Sequence, residues 1–116
     1  MRERVLVDAT TLAADLQVGG GADPVEGRPV VLDVRNAGEL ADGAIFHARH
    51  VPLAELPRRL AEIPRDRPVV VYCAGGYRSA VAASLLRREG WADVSDLLGG
   101  YGAWQALTRA PAPASG

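Results

Sequence analysis

The chain has 116 residues, which fits one domain with its own hydrophobic core and leaves little room for a second. Hydrophobic residues make up 48% and charged residues 23%, the balance of an ordinary globular protein. The net charge of -1 argues against a nucleic-acid or other polyanion footprint, and the use of Arg for all 13 cations reads as base-composition bias.

The opening Met1-Arg2-Glu3-Arg4-Val5 lacks the apolar stretch of a signal peptide. Val5-Leu6-Val7 is a short apolar run suited to an edge strand. Thr10 or Thr11 can cap a short helix that carries Leu12 and Leu16 on one face. Gly19-Gly20-Gly21 ends that helix and opens a loop through Pro29.

Val30-Val31-Leu32-Asp33-Val34 reads as a buried parallel strand, being continuous, apolar and rich in β-branched residues. A brief helix is expected from Asn36 to Ala41, stopping near Gly43. Ala48 to Val51 is a weak strand, ended by Pro52. Leu53, Leu56 and Leu60 recur at helical spacing, with Pro64 closing the helix.

Pro68-Val69-Val70-Val71-Tyr72 is the strongest strand in the chain, and Cys73-Ala74-Gly75-Gly76-Tyr77 follows as a loop. A helix is predicted over Arg78–Glu89, with Val81, Ala82, Leu85 and Leu86 facing the core and Gly90 at its C-cap. Val94 to Leu97 is a last short strand and Tyr101 to Leu107 a final helix. The domain is assigned to 1–109, and the Pro/Ala tail at 110–116 has nothing to bury and should be disordered. Strands alternating with helices over short connections predict an α/β layer structure with a mostly parallel sheet. Ligands bind such sheets outside the carboxyl ends of the strands, where Cys73 lies.

Cys73 is the only cysteine, so an internal disulfide is impossible, no metal or other cofactor is expected, and a reducing, cytoplasmic setting fits. No apolar run approaches the ~20 residues that span a bilayer. A cysteine at a strand end is by itself often just a packing residue. What sets this one apart is the Gly-rich loop and the helix start behind it. The first amides of a helix are unpaired, and its N-terminus carries about half a positive charge. Gly75 and Gly76 let successive amides turn inward as an anion nest. Ser79 can add a hydroxyl donor, and Arg78 can add charge or tie the loop to a carboxylate. A sulfur so placed is favoured as the thiolate, the nucleophilic form.

At this point the chain resembles the rhodanese family, from about Leu6 to Leu107. Val31-Leu32-Asp33-Val34-Arg35 with Glu39-Leu40 is similar to the family's LDVR…E[FY] segment, and Val51-Pro52-Leu53 to its NIPL segment. Cys73 to Ser79 (CAGGYRS) matches C-x-x-G-x-R-S, and Leu98-Gly99-Gly100 with Trp104 matches LxGG…W. The resemblance implies a rhodanese-like fold, a central five-stranded mostly parallel sheet flanked by helices on both faces. It implies that Cys73 carries a persulfide, that Ala74, Gly75, Gly76, Tyr77 and Arg78 cradle it, and that Asp33, Arg35 and Glu39 support the loop, Arg35 and Glu39 as an ion pair. Where the family reads G-H-I-P-G-A, this chain has Gly43-Ala44-Ile45-Phe46-His47-Ala48, which unsettles that turn. His47 and His50 read as turn residues rather than metal ligands. Trp91, Tyr101 and Trp104 read as core residues, while Tyr77 either walls the pocket or faces solvent.

The expected activity is sulfurtransfer from thiosulfate, or from glutathione persulfide, to cyanide or a thiol. The alternative is a sulfur-relay or interaction module with little free turnover. Related cysteine phosphatases and arsenate reductases have five residues between Cys and Arg where this chain has four, a ring tight for tetrahedral phosphate. The runs YCAGGYRSAVAASLL and SDLLGGYGAW further resemble rhodanese domains fused to metallo-β-lactamase-fold persulfide dioxygenases. With two histidines and no HxHxDH segment, this chain cannot supply that metal site, so it reads as a free-standing relative of such an enzyme, a partner of one or an excised piece of one. No nucleic acid or membrane is expected among its partners.

Overall fold

The computed structural model describes residues 6–17 and 28–108. Val5, the Gly19–Gly21 loop and the 110–116 tail fall outside the described residues. Five strands, β1 (Leu6–Val7), β2 (Val30–Asp33), β3 (Arg49–His50), β4 (Val69–Tyr72) and β5 (Val94–Leu97), form one sheet in the order β1-β5-β4-β2-β3. Every pairing is parallel. The helices are α1 (Ala9–Gln17), α2 (Tyr77–Arg88) and α3 (Gly100–Thr108).

Strand side chains alternate between faces, so the central strands feed two cores. Val69, Val71 and Cys73 join Leu32, Val34, Leu56 and the α2 residues Ala82, Ala83 and Leu86 on one face. Val70 and Tyr72 join Val31, Leu12 and Leu16 of α1, and Tyr101 and Trp104 of α3 on the other. This period of two aims Cys73 toward α2.

Several local expectations change. α1 is capped by Asp8 rather than Thr10 or Thr11, because the Thr11 amide donates to the Asp8 carboxylate at 2.8 Å. The segments expected as helices at 36–41 and 53–63 are 3-10 turns, Ala37–Asp42, Leu53–Arg58 and Leu60–Glu62. Pro57 has no N–H to continue an α-helix. Arg59 bridges the two later turns, reaching Glu55 at 2.7 Å and Glu62 at 2.8 Å. On α2 the buried stripe is Ser79, Ala82, Ala83 and Leu86, and Val81, expected in the core, is 44% exposed. The stripe keeps i, i+3, i+4, i+7 spacing, which places Val81 off its edge. At the end of α2 the cap is Glu89, and Gly90 follows it at φ 109. The Gly90 amide bonds Arg87 O at 3.1 Å and the Trp91 amide bonds Leu86 O at 3.0 Å, a Schellman closure. The unsettled turn forms without glycine. Ala48 N–H donates to Ile45 O at 3.1 Å while His47 takes φ 66, a strained left-handed position for a residue with a Cβ.

Candidate active site

Cys73 sits where β4 ends and the loop to α2 begins, and only 1% of it is exposed. The left-handed Gly76 (φ 126) starts α2 and folds the loop back over the sulfur. Gly76 N–H donates to Sγ at 3.1 Å and Ser79 N–H at 3.3 Å, and the Ser79 hydroxyl oxygen is 3.5 Å away. Burial pushes the thiol up. The Ser79 hydroxyl, when its hydrogen faces the sulfur, and the amides of Ser79, Gly76 and Gly75 pull it down more, so the thiol lies below its ordinary value. The amides that bond the sulfur are those of 76 and 79, and the amide of 75 also lowers the thiol. Ala74 and Tyr77 flank them in exposed positions, Tyr77 at 82%.

Arg78 turns to a carboxylate. Its guanidinium grips Glu39 in a two-pronged pair at 2.7 and 2.9 Å, joining α2 to the 37–42 turn. Glu39 also accepts the Asn36 amide at 2.9 Å. The Arg78 bond and then the Asn36 amide hold its carboxyl at about 2, well below the usual glutamate range. Arg78 is itself raised, by Glu39 first and also by the nearby sulfur.

The expected Arg35–Glu39 ion pair is not formed. Arg35 pairs instead with Asp33, Nη2 to Oδ2 at 2.8 Å, with both side chains 1% exposed. Glu39 gives Arg35 only its backbone carbonyl, at 3.3 Å, and Gly43 O adds a contact at 2.7 Å. The cause is register. Asp33 stands opposite Tyr72 in the β2–β4 pairing, where burial would neutralise it without a cation, while Glu39 is open to Arg78. Burial pushes the Asp33 carboxyl up, but the Arg35 and Tyr72 bonds outweigh it and leave Asp33 below its ordinary value. Tyr72 OH donates to Asp33 at 2.7 Å, and the guanidinium lies 4.4 Å from the Tyr101 ring centre. This cluster sits behind the loop and does not touch the sulfur.

Two parts of the site are given no role in the motif reading. The first is the start of α3, whose otherwise unpaired amides hold the loop. Tyr101 N–H bonds Cys73 O at 2.8 Å and Gly102 N–H bonds Ala74 O at 3.3 Å. The second is Asp96 on β5, buried and accepting the Ser79 hydroxyl at 2.5 Å. An acidic residue inside the buried run Val94–Leu97 was the available signal.

The family model described as the rhodanese-like domain matches residues 21–107. A sulfurtransferase of Allochromatium vinosum is 41% identical over 75 residues, covering 65% of this chain and 70% of its own length. The thiosulfate sulfurtransferase GlpE of Stutzerimonas stutzeri is 34% identical over 76 residues, covering 66% of this chain and 70% of its own. The solved rhodanese-related protein from Thermoplasma volcanium superposes with a TM-score of 0.75 at 30% identity, over 93% of this chain and 95% of that one.

Proposed function

This chain belongs to the rhodanese-like domain family, and from that premise we propose that it moves sulfane sulfur from thiosulfate, or a persulfide such as glutathione persulfide, to cyanide or a thiol, carrying it on Cys73. The observation that carries this reading is a buried thiol held below its ordinary pKa by amides aimed at its sulfur. The Cys73 thiolate attacks the outer sulfur of thiosulfate. An S–S bond forms to Cys73, the S–S bond of thiosulfate breaks, and sulfite leaves with the bonding pair. The terminal sulfur of Cys–S–S⁻ then meets the amides that held the thiolate, much as an oxyanion hole receives developing charge. Cyanide or a thiolate takes that sulfur, and Cys73 leaves as the thiolate. Two such half-reactions give ping-pong kinetics.

A lone thiol that must stay reduced supports a cytoplasmic setting. The described residues contain no helix long and apolar enough to cross a membrane. The test is intact mass after thiosulfate treatment together with thiocyanate formation, in the wild type and in Cys73→Ser. The expected result is a gain of one sulfur atom and thiocyanate turnover, both lost in the variant. Equal turnover in the variant would overturn the reading. Sulfur loading with negligible turnover would favour relay to a protein acceptor, a persulfide dioxygenase system among them.

A further inference from the structure

The sulfur transfer above makes no use of Asp96, yet this buried carboxylate lies one hydroxyl away from the nucleophile. Ser79 Oγ is 2.5 Å from Asp96 Oδ1, 3.5 Å from Cys73 Sγ and 3.2 Å from Gly76 O. A serine hydroxyl has one hydrogen to give and accepts with its lone pairs. A carboxylate at that distance is the strongest of the three acceptors. With Asp96 ionised, Ser79 therefore offers the sulfur a lone pair, which suits S–H and not S⁻. The help that the Ser79 hydroxyl gives the thiolate depends on where its hydrogen points.

We propose that Asp96 is a positioning residue that governs Cys73 through Ser79: as a carboxylate it claims the hydroxyl hydrogen and favours the thiol, and once protonated it releases that hydrogen to the sulfur and favours the thiolate. The release is a reorientation. The neutral carboxyl donates to Ser79 Oγ, and the Ser79 hydroxyl turns to Sγ. The charge of an ionised Asp96 acts in the same direction, because two anions would share one small buried site.

The surroundings leave this control to Asp96. In register beside it stand Val71 of β4 and Leu6 of β1, both apolar. From α2, Arg87 attracts Asp96, while Arg78 lies near the sulfur with its charge largely spent on Glu39 of the 37–42 turn. α3 carries no charged side chain between Gly100 and Thr108. Burial, outweighing Ser79 and Arg87, raises Asp96 above its ordinary value. The device thus responds at milder acidity than a surface aspartate would.

The proposal rests on Cys73 as the sulfur carrier, but its test reads the thiol and needs no sulfur donor, so its failure is distinct from a failure to use thiosulfate. The full chain is alkylated with iodoacetamide across a pH series, as wild type, Asp96→Asn, Ser79→Ala and the double variant. In the wild type, log rate against pH should bend where Asp96 ionises, because deprotonating the carboxyl makes the thiolate harder to form. Asp96→Asn should straighten the plot to a single-proton titration and speed alkylation by roughly tenfold between the pH where Asp96 ionises and the thiol pKa, a one-unit effect. In the double variant most of that gain should vanish, since no hydroxyl is left to release. A wild-type plot without the bend, or an Asp96→Asn profile that superposes on the wild type or moves to higher pH, would overturn the proposal. The wild-type bend stands as a test even if a variant folds poorly.

Discussion

Gly100 is where helix α3 touches the sulfur loop most closely, and Gly100→Ala tests whether that contact holds the loop. At φ 60, a Cβ on this residue would lie 2.6 Å from the carbonyl oxygens of both Cys73 and Ala74 and 2.8 Å from the Ala74 carbonyl carbon. All three are backbone atoms and cannot swing aside as a side chain would. The left-handed conformation costs an L-residue about 1–2 kcal/mol. Alanine recovers roughly 0.5–1 kcal/mol through a less disordered unfolded chain. Forcing packed backbone apart adds about 1–3 kcal/mol. The net loss is about 1–4.5 kcal/mol, to be set against a small domain's roughly 5–15 kcal/mol. It also lengthens the Tyr101 N–H to Cys73 O and Gly102 N–H to Ala74 O bonds that hold the loop. Urea unfolding reads the stability loss, and the pH profile of Cys73 alkylation reads the loop. Gly99→Ala is the control. It shares a positive φ of 79, but its Cβ would meet the Ala103 side chain, so it should lose stability and leave the alkylation profile in place. A Gly100→Ala protein within about 0.5 kcal/mol of wild type, with an unchanged profile, would refute the clamp, because surface substitutions away from special sites stay within that range.

Arg35→Met strands the buried Asp33 carboxylate and should cost about 3–5 kcal/mol in urea unfolding. Asp33 should then titrate above rather than below its ordinary value, and adding Asp33→Asn should restore part of the loss; a double variant no more stable than the single would contradict the buried-charge account. Glu39→Gln tests the loop's outer tie. Glu39 is held at about 2 when folded against an ordinary 4.5, so its contribution is complete above 4.5 and disappears as pH falls toward 2. Because the Arg78 pair is about a third exposed, the difference at neutral pH should be about 0–1 kcal/mol. Urea unfolding at pH 7 and pH 3 should show it shrinking on the acid side, and a difference that grew there would reverse the sign.

Much of the site was readable from local pattern. The alternation of Val69, Val71 and Cys73 already orients the thiol, and Gly75-Gly76 before a helix already describes a nest of amides. These are short-range properties, since the period of a strand and the conformational freedom of glycine do not depend on distant neighbours. Partner choice does. Arg35 could reach Asp33 two residues back or Glu39 four ahead, and only the placement of β2 against Tyr72 buries Asp33 and gives it the stronger claim. Glu39 finds Arg78 across 39 residues of sequence, which no spacing rule foretells.

The tertiary structure alone brought Asp96 to Ser79, because α2 packs over β5 and joins residues 17 apart in the chain. It also decided which face of α2 is buried, leaving Val81 outside, and it placed the first turn of α3 on the carbonyls of Cys73 and Ala74. The sequence by itself determined that a thiolate could be made here, through residues adjacent to Cys73. The surroundings that hold and regulate that thiolate come from strands and helices distant in the chain, and their hydrogen bonds exist only once the sheet has set its strand order.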